Sequence, residues 1–199
     1  MNVFGVLKQN RSYIFWSGVI FFLGWLLGGL FPNQLFNLVA DQIDHIRELA
    51  EKTQANDSAL YTCWVIFKNN LFAAIVMIVS GIAFGIFTVL ALLMNGMMIG
   101  VVFGVIGAHA GVSYWKTVMF GLLPHGIFEL TAIFIAAAFG LKLGRVLIVP
   151  LKEKTRLQSF GYVWREIARA GVVVLVLLVV AASVEGTITP FLLHTFVKI

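Results

Sequence analysis

The sequence predicts an all-α, polytopic transmembrane helix bundle of about five spans. Three observations carry this reading. Of 199 residues, 60% are hydrophobic and 12% charged, where soluble domains carry about a quarter charged residues. Mean hydropathy is +0.97. The apolar residues also fall into long runs, and at 1.5 Å per residue about 20 of them cross the ~30 Å hydrocarbon core. Five such spans consume most of the chain, so residues 1–199 form a single integral membrane domain with no room for a separate soluble catalytic domain.

The elements follow in order. Lys8 and Arg11 precede an apolar run over 13–31 that ends in Phe31-Pro32-Asn33. With no small-residue cleavage pattern after it, this is an uncleaved first span with its amino terminus inside. Over 34–60 the pattern turns polar, with Asp41, Asp44, Glu48, Glu51 and Asp57 against Arg47 and Lys52. Leu35, Leu38, Val39, Gln42, Ile43, Ile46, Leu49 and Ala50 recur three and four apart, which describes an external amphipathic helix. Residues 69–94 read as the second span and 95–110 as a short third one of about 24 Å. The stretch from Val112 to Leu143 is too long for one straight helix and contains Pro124, which breaks the hydrogen-bond ladder. It divides into an interfacial piece over 113–123, with Trp115 and Lys116, and a span over 124–143. The last span covers 170–190.

The formal charge of +5 invites a nucleic-acid reading, which the location of the charges removes. Lys142, Arg145, Lys152, Lys154, Arg156, Arg165 and Arg169 oppose only Glu153 and Glu166, so the excess belongs to a basic loop at 144–169. Such a loop reports the cytoplasmic side. The single cysteine, Cys63, makes no intramolecular disulfide.

Glycines recur four apart in most spans: Gly24 and Gly28; Gly81 and Gly85; Gly96, Gly100 and Gly104; Gly107 and Gly111; Gly140 and Gly144. In lipid such faces let helix backbones approach closely, here mainly within the chain, with a homodimer as the alternative.

Polar groups in apolar stretches are the candidate functional residues. Among the acids, only Glu129 and Glu185 stand within spans, where a charge costs at least ~2.5 kcal/mol on insertion scales. His125 and Glu129 lie one helical turn apart, after the break at Pro124. Asn69, Asn70 and Asn95 complete the expected polar core, with Asn69-Asn70 and Asn95-Gly96 flanking the second span. Three readings of this core compete: a buried hydrogen-bond network, an ion or solute path through His125, Glu129 and Glu185, and a zinc site on those residues with His109 as a fourth ligand. His45 and His194 fall in exposed segments and carry no inference. No His-Glu-x-x-His, Gly-x-Ser-x-Gly or phosphate-cradling loop is present, so no enzyme activity is expected.

In order along the chain stand Phe67-Lys-Asn-Asn-Leu71, Asn95-Gly-Met-Met-Ile-Gly100, Leu123-Pro-His-Gly-Ile-Phe-Glu-Leu130, the run from Ala132 to Gly144, and Glu185-Gly-Thr-Ile-Thr-Pro190. Together they resemble the stage II sporulation protein M family of integral membrane proteins. In spore-formers the namesake works with sporulation proteins D and P in a peptidoglycan-degrading machine, while many relatives occur in organisms that never sporulate. The resemblance implies a non-enzymatic scaffold or anchor for envelope partners, in the cell (plasma) membrane.

Overall fold

The computed structural model describes residues 2–56, 58–109, 116 and 118–197, the side chains of 106–109 excepted. Among them there is no strand, and five helical segments are long and apolar enough to cross a membrane.

A short helix α1 (Val3–Gln9), capped by the Asn2 side chain on the Gly5 amide, leads into α2 (Arg11–Leu30). The chain bends at Phe31, and Pro32 opens α3 (Pro32–Gln54) at a position where its missing N–H costs no helical hydrogen bond. Ser58 caps α4 (Ala59–Val79). A tight turn through Ser80–Ile82 gives way to α5 (Ile86–His109). A wide, π-type turn over Val118–Leu122 introduces α6 (Leu123–Ile148), with Pro124 in its first turn. The chain returns as α7 (Arg156–Ser183), started by a Thr155–Gln158 capping box, and continues through a second wide turn (Val184–Ile188), the short α8 (Thr189–Leu192) and a third wide turn (Leu193–Val197).

Helix α6 is the centre of the bundle. Two-thirds of its apolar stretch is buried, 67% against 22% for α2 and α4, and α7, α4, α2 and α5 all pack on it. Its run Ile135-Ala-Ala-Ala-Phe139 is almost wholly enclosed, because small side chains let four neighbours approach at once. The outer helices turn large apolar groups outward: Phe15, Trp16 and Phe22 on α2, Phe72 and Ile75 on α4, Val172 and Val176 on α7. That inside-small, outside-large arrangement suits a lipid surround.

The closest approaches are made by glycines. Along the α2–α5 seam, Gly24 faces the Leu93 carbonyl and Gly28 that of Met97, while Gly96 faces the Phe21 carbonyl and Gly100 that of Trp25. Gly104 meets the ring of Pro32. On α6, Gly140 sits against the Met77 carbonyl and Gly144 against the Phe84–Gly85 peptide, with Gly81 opposite Gly140. Gly107 belongs to the residues whose side-chain surroundings are not described, and Gly111 lies outside the described residues.

The structure moves several expected boundaries: the second span begins at Ala59 and not 69, the helix of the last span at Arg156 and not 170, and the break between the second and third spans shifts most. The second and third spans part at 80–85 and not at 94–95: the turn runs through Phe84 and Gly85, both at positive φ (57° and 77°). Ile82, Ala83 and Phe84 keep this turn apolar, so hydropathy does not dip there. Ser80 Oγ donates to the Met77 carbonyl at 3.2 Å, as does Thr88 Oγ1 at 3.1 Å, clasping the hairpin without a charged residue. Helix α5 is accordingly a full-length span of 24 residues, and Asn95 lies in its middle, donating to the Ala91 carbonyl at 2.8 Å. The basic stretch 144–169 is mostly helical; α6 and α7 extend into it and leave only 149–155 between them. Of the interfacial piece, Ser113 through Trp115 lie outside the described residues, Lys116 is exposed, and 118–122 form the wide turn. Asp57 is likewise outside them.

Candidate functional site

The site is assembled from five elements: α6, the second wide turn, α4, α8 and α3. Pro124 starts α6 beside the wide turn, so His125 and Glu129 project from the first two turns of the central helix. Glu185 comes from the second wide turn, where α7 loosens before Pro190. A proline has no N–H for the helical ladder, and π-type turns of this sort recur at functional sites. Asn69 and Asn70 come from the middle of α4.

One ligand atom from each of His125, Glu129 and Glu185 lies within 4.8 Å of the others. His125 Nε2 stands 3.9 Å from Glu185 Oε2, and Nδ1 on the other side of the ring is 3.4 Å from Thr189 Oγ1. The imidazole is thus held between a carboxylate and a hydroxyl, and is only 7% exposed. Asn70 on α4 is the polar neighbour of the Glu129 side chain. Asn69 Nδ2 donates to Asn70 Oδ1 at 3.4 Å, and His45 Nε2 on α3 is 3.0 Å from Asn69 Oδ1. A file of polar groups therefore runs from α3 through Asn69 to Asn70, beside Glu129.

Of the residues singled out in the sequence, His125, Glu129, Glu185, Asn70 and Asn69 meet here; Asn95 does not, since its amide is turned back onto α5. The His109 side chain is not among those described. Thr189 and His45 are additions that the sequence does not announce. Thr189 stands in the Glu185-to-Pro190 motif, which reads only as a helix end, and His45 reaches Asn69 because α3 folds back against the bundle.

A second polar cluster lies near the other end of α6. Lys142 Nζ donates to Glu166 Oε2 at 2.5 Å and to Asn10 Oδ1 at 2.7 Å, and Asn10 Nδ2 reaches Glu166 Oε1 at 3.4 Å. All three are almost wholly buried: Lys142 4%, Glu166 1%, Asn10 1% exposed. The expectation that Glu129 and Glu185 are the only acids within spans is corrected here. Glu166 shares the buried stripe of Val163, Ile167, Ala170 and Val174 on α7, a three- and four-residue spacing that exposes its role once α7 is known to begin at Arg156. Two surface grooves, of about 370 and 520 Å³, lie beside Phe84–Arg145 and along Ile14–Leu26 and touch neither cluster.

Comparison with known proteins agrees with the fold. The family model described as stage II sporulation protein M matches residues 17–190. Two uncharacterized proteins of Methanocaldococcus jannaschii are similar to this chain, one 27% identical over 86% of this chain and 90% of its own length, the other 26% identical over 91% and 83%. No solved structure matches. With the family model covering 17–190, which takes in every residue of the His125 cluster, the chain belongs to the stage II sporulation protein M family.

Proposed function

We propose that the protein is a non-enzymatic scaffold of the plasma membrane, with its amino terminus in the cytoplasm, that anchors envelope partners of the peptidoglycan-remodelling kind. Helix α3 is the observation that carries this reading. It stands outside the central packing and exposes both a line of acids, Asp41, Asp44, Glu48 and Glu51, and apolar groups, with Leu38 60% and Ile46 47% exposed. A helix packed on the bundle by one face, with an acidic line and apolar anchors on its exposed side, is a surface for another helix or domain.

The charges support the orientation. Through Asn10, α1 is tied to Lys142 and Glu166, which brings Lys8 and Arg11 to the end of the bundle that carries Arg145, Lys152, Lys154 and Arg156. Helix α3 leaves from the other end of α2. Basic residues gathered at one end and acidic ones at the other satisfy the positive-inside rule.

Removing residues 41–57 is expected to abolish co-purification of peptidoglycan-remodelling partners from detergent extracts while the bundle still elutes as a single folded species. Unchanged co-purification from the shortened chain would contradict the scaffold. A second reading, an ion or small-solute channel or transporter, draws on the convergence of His125, Glu129 and Glu185 within 4.8 Å in the spanning region.

A further inference from the structure

We propose that His125, Glu129 and Glu185 bind one divalent transition-metal ion, which links α6 to the wide turn after α7.

Charge favours a cation here. Among the described residues, His125 is the only ion-pair partner of Glu185, and Glu129 has none. Two carboxylates facing each other among apolar helices repel strongly in a low dielectric, and a dication held with a neutral imidazole balances them. Lys142 does this for Glu166 at the other end of the bundle; no described lysine or arginine pairs with Glu129 or Glu185.

Geometry favours a metal. Bonds of about 2.0–2.2 Å to imidazole nitrogen and carboxylate oxygen put neighbouring ligand atoms about 3–3.5 Å apart. The 3.9 Å between His125 Nε2 and Glu185 Oε2 is nearly there, and the 4.8 Å limit on the whole set closes by side-chain rotation of about an ångström. Glu185 sits on a wide turn that can give this much, while His125 and Glu129 are fixed on the central helix.

The surrounding hydrogen bonds point the same way. A metal-ligating histidine characteristically donates its other N–H to an acceptor, and ligating carboxylates are themselves hydrogen-bonded. Thr189 Oγ1 is placed to accept from His125 Nδ1, leaving Nε2 free to ligate. Beside Glu129, Asn70 offers its Nδ2 as donor, since a carboxylate only accepts and Nδ2 is the amide's donor atom. Asn69 Oδ1 in turn accepts from His45 Nε2. With His45 donating to Asn69 and Asn69 to Asn70, the file ends on an amide beside Glu129, a neighbour able to orient the carboxylate oxygens for ligation. One nitrogen with two oxygens suits zinc, manganese or cobalt better than the all-oxygen shell that magnesium and calcium favour.

The full chain, purified in detergent and stripped with a chelator, is titrated with zinc and separately with cobalt(II). The expected result is one saturable ion per chain, visible cobalt absorption bands, and a rise in melting midpoint on zinc addition. Glu185→Gln and His125→Gln should each weaken binding by about 100-fold or more and remove the midpoint rise. Thr189→Val should weaken it by about tenfold, and Glu48→Gln on α3 should leave it unchanged. If wild type binds neither ion at about 100 µM, or binds no better than Glu185→Gln and His125→Gln, the metal was adventitious and the proposal is overturned. Should either glutamine variant fail to fold, X-ray absorption at the zinc edge of wild type decides, since a zinc shell without imidazole scattering contradicts the proposal. Metal binding and partner co-purification are separate readouts, so the scaffold and the ion site can fail independently.

Discussion

Gly96→Ala is expected to lower stability by about 2–3 kcal/mol, and Gly96→Leu to leave little folded protein in the membrane. A Cβ at this position would fall on the Phe21 carbonyl and the amide of Trp25. Both are backbone atoms of α2, so no side chain can swing aside. Overpacking in a close-packed interior costs about 1–3 kcal/mol even where side chains adjust, and here α2 and α5 must separate along a seam that Gly24, Gly28 and Gly100 also require. Apolar burial gives no drive for association in lipid, so it is dispersion and Cα–H···O bonding that hold the pair, and separation weakens both. Gly161 and Gly171 on α7 are the internal controls: nothing lies within 4 Å of a Cβ at either. Gly→Ala there should be neutral or raise stability by up to about 1 kcal/mol through helix propensity. Melting midpoints in detergent measure the whole series, and equal losses at Gly96 and Gly161 would refute the seam.

Lys142→Met should cost about 3–5 kcal/mol, and Glu166→Leu a similar amount, because each strands the other's charge in the interior. Replacing both should recover most of the loss and can exceed wild type, since well-packed apolar groups often match a buried ion pair. The expected coupling between the two substitutions is therefore several kcal/mol. Neither single change should be eased by salt, as the pair is 4% and 1% exposed and ions do not reach it. The double variant should still lose one thing. Asn10 bonds to both partners, so without them α1 is expected to release from α7 and become open to protease, with the rest of the bundle intact. Additive single-variant losses would show that the charges do not interact.

Much of this architecture is legible in the sequence. Long apolar runs announce membrane spans because the bilayer tolerates nothing else at that length, and Pro124 announces the start of α6 because it cannot sit deeper in a helix without breaking it. The hairpin between α4 and α5 is hidden because its turn is made of Gly81, Ile82, Ala83, Phe84 and Gly85 and is satisfied by the hydroxyls of Ser80 and Thr88. Such a turn leaves no polar gap in hydropathy, and Asn95 draws the boundary instead. In the candidate site, the acids in apolar stretches point to Glu129 and Glu185. Glu166 escapes because Arg165 and Arg169 beside it read as part of a solvated loop. Thr189 and His45 are beyond sequence reasoning: a hydroxyl on a helix and a histidine on an amphipathic helix acquire meaning only from what the fold sets 3.4 Å and 3.0 Å away.

The proposed scaffold role requires that the His125 cluster hold the bundle together without conducting through it. Purified chain in sealed proteoliposomes, loaded with dyes that report protons, monovalent cations and zinc, tests this most directly. Wild type and Glu129→Gln should both leak no faster than protein-free vesicles. Flux in wild type that Glu129→Gln abolishes, with the variant equally folded and equally inserted, would contradict the scaffold and establish a transport path in its place.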